Sequence, residues 1–93
     1  MTQPVVQKLE SIAALVKKSS PSLAVSAEIQ NSRNELAKFK TSAQNAVFQA
    51  LDEELGIWFK KIDAVLKDSG ERDAMVKNMR RWIEKLKKFG AGS

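Results

Sequence analysis

Apolar residues recur along the chain at steps of three and four, the period that gathers them on one face of an α-helix, and not at the step of two that marks a strand. Near the start, Val5, Leu9, Ile12 and Val16 are separated by four, three and four. Pro4 fits the first helical turn, where its missing N–H leaves no bond unmade. Lys17 and Lys18 fall in the last turn, where cations complement the negative end of the helix dipole, and Ser19-Ser20-Pro21 interrupts the run. A first helix is therefore predicted over about 4–18, with Ser20 as the N-cap and Pro21 as the first residue of the next helix.

Beyond Pro21 there is no further proline, and up to Asp68 only one glycine. Val25, Ile29, Leu36, Phe39, Ala43, Ala46 and Ala50 continue the a/d rhythm, with Ser32 in the one polar slot. The pattern predicts one long helix over 21–68. At 1.5 Å per residue it would reach about 70 Å, so the alternative is a break, and two places offer one. Residues 31–34 and 41–45 are rich in poor helix formers, and each region holds a capping-box pattern, Ser32 with Glu35 and Thr41 with Gln44. Gly56 costs a helix about 1 kcal/mol against alanine. Lying between Leu55 and Ile57-Trp58-Phe59, it reads as a place where another helix comes close.

Asp68-Ser69-Gly70-Glu71 reads as a stop and restart, with Gly70 in a left-handed cap and Asp68 or Ser69 opening the last helix. That helix, over 71–89, carries Met75, Met79, Trp82, Leu86 and Phe89 at alternating steps of four and three, widened by Val76 and Ile83. Residues symmetric about Gly70 then approach in a hairpin, Ile62 opposite Met79 and Trp58 or Phe59 opposite Trp82. Residues 90–93 read as a helix stop with a frayed tail. The fold class predicted is all-α, one domain over 1–93, a helical hairpin or three-helix bundle with a long middle helix, unbroken or broken near 31–34 or 41–45.

Composition narrows the function. The chain of 93 residues has no histidine, no cysteine and no tyrosine. The commonest general base, the thiolate nucleophile, the disulfide and every zinc site built from Cys and His go with them. The four glycines form no phosphate-binding loop, and no EF-hand spacing exists between Asp63 and Asp73. Asp52-Glu53-Glu54 reads as a solvated acidic turn, because adjacent residues on a helix point about 100° apart. The expectation is no catalytic residue, no metal ligand and no cofactor: a protein that is not an enzyme. Met1-Thr2-Gln3-Pro4 lacks the basic start of a signal peptide and no apolar run approaches a membrane span, so a cytoplasmic location is expected.

Charge changes the picture once more. Sixteen Lys and Arg face 11 Asp and Glu, a formal net charge of +5. Between 77 and 88, six cations face Glu84 alone, so this short run carries an excess as large as that of the whole chain. Lys77, Arg80, Arg81, Lys85 and Lys88 are the candidate phosphate-binding residues. No helix-turn-helix or stacking motif accompanies them, so any nucleic-acid contact would be to the backbone. A membrane surface is the less favoured anionic partner. Two short helices also cannot cover a long middle one, which leaves Leu36, Phe39, Val47 and Phe48 partly bare and makes them the candidate interface. The function expected is a helical protein–protein interaction module, self-associating as a homo-oligomer or binding a helical partner. The alternative is a small basic nucleic-acid-associated protein acting through its last helix.

Overall fold

The computed structural model describes residues 3–18, 20–38 and 45–91, with backbone alone at 45 and 89–91. The described residues form four α-helices and no strand: α1 Gln3–Lys17, α2 Ser22–Ala37, α3 Asn45–Lys67 and α4 Ser69–Ala91. Each helix packs against two others, α1 on α2 and α4, α3 on α2 and α4. Lys8 reaches Glu28, Arg33 reaches Asp52 and Trp58 reaches Asn78. In each pair the residues stand at comparable chain distances from the connection between their helices, as in antiparallel neighbours. The four helices therefore alternate in direction around a closed ring, and the apolar stripe of each faces its centre.

The middle segment is two helices, where the spacing predicts one. The whole fold spans 38 × 20 × 16 Å, too short for a rod of about 70 Å. α2 ends at Ala37 and α3 starts at Asn45; the second predicted break site, 41–45, falls between them, with 41–44 outside the described residues, while residues 31–34 are continuous helix. The physical reason is a change of phase. Val25, Ile29, Ser32 and Leu36 form the inner stripe of α2, and Phe48, Leu51, Leu55, Trp58, Ile62 and Val65 that of α3. From Leu36 to Phe48 a straight helix turns through about 120° beyond whole turns, so the two stripes would lie on different faces of one rod. Folding back points both inward. Ala46 and Ala50, which continue the rhythm of α2, are exposed.

The flanking helices follow their patterns more closely. Val5, Leu9, Ile12 and Val16 are fully buried, joined by Val6, as are Met75, Met79 and Leu86 on α4. The bond from Ser20 N–H to the Leu15 carbonyl, 3.0 Å, closes the end of α1. The cap of α2 is Pro21, one residue later than predicted, in extended backbone (φ −55°, ψ 143°) with no side-chain cap bond. Its carbonyl accepts from Ala24 and Val25 N–H.

Gly70 is not a left-handed cap. It lies in the first turn of α4, and the side chain of Asp68 accepts from Gly70 N–H at 2.8 Å and Glu71 N–H at 3.3 Å. One non-helical residue therefore joins α3 to α4, and the hairpin is centred on Asp68. Trp58 accordingly meets Asn78, its Nε1 donating to Oδ1 at 3.2 Å, one turn before the Trp82 partner predicted from a centre at Gly70. α4 also runs through Gly90 to Ala91, past the predicted stop.

Candidate cationic interface

Folding back of the middle segment decides what is left exposed. Leu36 and Phe48, expected to be partly bare, are 4% and 2% exposed, and Val47 packs against the same core. Phe39 lies outside the described residues. Three of the four residues proposed as an apolar interface thus belong to the protein's own interior, because α2 and α3 cover each other. Among the described residues, the large apolar side chains that face solvent are Leu23, Ile57 and Phe59, on different helical faces.

A groove of about 660 Å³ runs between the C-terminal half of α2 and the first turns of α3, lined by Gln30, Arg33, Asn34, Leu36, Ala37, Phe48, Gln49 and Asp52. Its charges are matched. Arg33 donates from Nε to Asp52 Oδ1 at 2.9 Å and from Nη2 to Oδ2 at 3.4 Å. The hydrogen bond to Asp52, with its negative charge, raises Arg33 above its ordinary value against the opposing effect of burial. Asp52 is thus a partner within the fold and not one of three solvated acids. A sequence reading that kept 21–68 as one rod had no means of pairing residues 19 apart; the phase change between the stripes was the available signal.

The other side of the molecule is different. Lys77, Arg80, Arg81, Lys85, Lys87 and Lys88 are all exposed on α4. Among the described residues, none of them has a carboxylate within ion-pair distance; the ion pairs that form use Lys8, Arg33 and Lys38. Lys85 has a further charge-linked contact, its Nζ 5.0 Å from the centre of the Trp82 ring. Lys77, Arg81 and Lys88 fall within about 40° of one another around the helix, opposite the stripe of Met75, Met79 and Leu86. Arg80 and Lys87 lie to one side, toward α1, where they share a second groove of about 370 Å³ with Lys17. The predicted phosphate-binding residues are therefore all on the surface, but they do not share one face: Lys77, Arg81 and Lys88 lie on the outer ridge, Arg80 at the groove edge, and Lys85 over the Trp82 ring.

Among the described residues, no group of three Asp or Glu converges as metal ligands would, and no helix is long and apolar enough to cross a membrane. No protein-family model, curated protein or solved structure matches this chain.

Proposed function

We propose that this protein is a non-enzymatic interaction module whose working surface is the cationic side formed by α4 and the end of α1, and whose partner is an acidic protein. The observation that carries this reading is the set of six exposed cations on α4 that have no ion-pair partner among the described residues. Four packed helices hold them on a fixed backbone, so presenting them together carries little backbone ordering cost. Electrostatic steering toward an acidic surface follows from the same charges. Fluorescence anisotropy with labelled polyglutamate tests the reading: binding at low salt that weakens on reversing α4 charges supports it, and no binding at low salt ends it. Light scattering over a concentration series tests its homo-oligomeric form, in which a second copy is the partner.

A second reading is favoured by the outer ridge. Lys77, Arg81 and Lys88 follow a line along α4 of about 16 Å, a track suited to the phosphates of a nucleic acid. Binding of this kind is independent of base sequence and falls steeply with salt. A random-sequence DNA duplex in the same titration separates the two, since only this reading predicts that the duplex outcompetes polyglutamate and that Lys77→Glu with Arg81→Glu abolishes its binding.

A further inference from the structure

The groove between α1 and α4 has a chemistry that the outer ridge lacks. Its floor is apolar: Val76 and Ile83 from α4, each under 10% exposed, and the small side chains of Ala13 and Ala14 from α1. Its rim is cationic, with Lys17 from α1 and Arg80 and Lys87 from α4, against Glu10 alone. Among the described residues none of the three cations has an ion-pair partner. From Val76 to Lys87 the groove follows three turns of helix, about 16 Å.

We infer that this groove seats an acidic amphipathic helix of a partner protein, its apolar stripe on Ala13, Ala14, Val76 and Ile83 and its carboxylates on Lys17, Arg80 and Lys87. The inference rests on the reading that the cationic side binds an acidic protein, and it names the form that partner takes. Charge complementarity selects the occupant. A phosphate backbone matches the rim but has no apolar group for the floor, and an uncharged apolar helix would bury three cations unpaired, which opposes its binding. A helix with apolar residues at steps of three and four and acids on both flanks satisfies floor and rim together. The alanines matter sterically, because α1 has no bulk there to hold a second helix away.

The experiment uses the full chain and an acetylated, amidated 18-residue peptide with leucines on one helical face and glutamates on its flanks. Polyglutamate of equal charge, the same leucine stripe flanked by lysines, and a DNA duplex are the comparison ligands. Ala14→Trp fills the groove at an exposed position without altering charge, Arg80→Glu with Lys87→Glu reverses the rim, and Lys77→Glu with Arg81→Glu reverses the outer ridge. Thermal melts confirm that each variant folds. The expected result is that the peptide binds more tightly than either comparison polypeptide, that the groove filler and the rim reversal each weaken it by about tenfold or more, and that the ridge reversal weakens it by less than about threefold. If the groove filler has no effect and both charge reversals act equally, charge alone drives binding; the groove assignment is then overturned while the acidic-partner reading stands. If no acidic polypeptide binds at low salt, both fail, and binding of the duplex alone through the ridge leaves only the nucleic-acid reading.

Discussion

The guanidinium of Arg33 on α2 lies against the backbone of Gly56 on α3: a Cβ at position 56 would stand 3.4 Å from Arg33 Cζ and Nη1. The same guanidinium forks Asp52, one turn earlier on α3. The glycine thus sits where an arginine crosses the helix surface, and its backbone is within the range open to any residue. An alanine methyl reaches only van der Waals contact with the end of a flexible side chain. Gly56→Ala is therefore expected to stabilise the protein by about 0.5–1 kcal/mol through helix propensity, seen as a melting temperature raised by a few degrees. Gly56→Leu, whose branched side chain occupies the space of the guanidinium, is expected to melt below Gly56→Ala; equal melting temperatures for the two would show that Arg33 does not constrain this position.

The Arg33–Asp52 pair has a defined pH signature. Both side chains are about a third exposed, so solvent screening holds its contribution to about 0.5–1 kcal/mol. Because Arg33 is raised above its ordinary value, its contribution is complete below the unfolded-state value and is lost only as pH rises through the still higher folded-state value. Titration of Arg33 therefore leaves stability flat across the neutral range. Denaturant unfolding of Arg33→Met and the parent at about pH 6 and about pH 9 should give the same difference at both; a difference that shrinks at the higher pH contradicts the assignment.

Asp68 carries the start of α4 through its bonds to Gly70 and Glu71 N–H. Asp68→Ala should cost about 1 kcal/mol and Asp68→Asn much less, since the amide oxygen caps as well. Gly70, by contrast, needs no left-handed backbone. Gly70→Ala is limited only by a Cβ 3.3 Å from the capping oxygen of Asp68, and a small change in melting temperature in either direction separates it from the loss of several degrees that a left-handed glycine would suffer.

The helix faces were legible from spacing alone: Val5, Leu9, Ile12 and Val16, and Met75, Met79 and Leu86, are buried as their steps of three and four require. What local pattern could not supply was the third dimension of the middle segment. The rhythm that ran from Val25 through Ala50 concealed a competing one that starts at Phe48, and only the packing of α2 on α3 shows which residues of each are inside. The same gap hid Asp52 as the partner of Arg33 and turned Leu36 and Phe48 from surface into core. The basic residues of the last helix were readable because an amphipathic stripe fixes its opposite face. Their division into ridge and groove was not, since it depends on where α1 lies.

Ser32 is fully buried among apolar residues, and its hydroxyl donates to the Glu28 carbonyl at 2.9 Å. The polar group is thus satisfied within its own helix and asks nothing of the core. Ser32→Ala removes this bond without leaving a buried donor unpaired and gains helix propensity, so a change within about 0.5 kcal/mol is expected. Ser32→Leu brings three more carbons into a closed interior and should cost about 1–3 kcal/mol. A stabilising Ser32→Leu would mean that the ring of helices has unfilled space at its centre.

Leu36 and Phe48 allow the sharpest distinction between a surface and a core role. As core residues, 4% and 2% exposed, their truncation opens a cavity inside one chain: Leu36→Ala should cost about 2–5 kcal/mol and Phe48→Ala about 3–5. For a domain of this size such losses are a large part of the whole stability, so melting should fall by ten degrees or more while the solution mass of the remaining folded protein is unchanged. As interface residues, the same truncations would lower the mass and leave the fold of the separated subunits intact. Light scattering and a thermal melt on the same samples tell these apart, and a drop in mass without a drop in melting temperature would show that α2 and α3 cover a second chain and not each other.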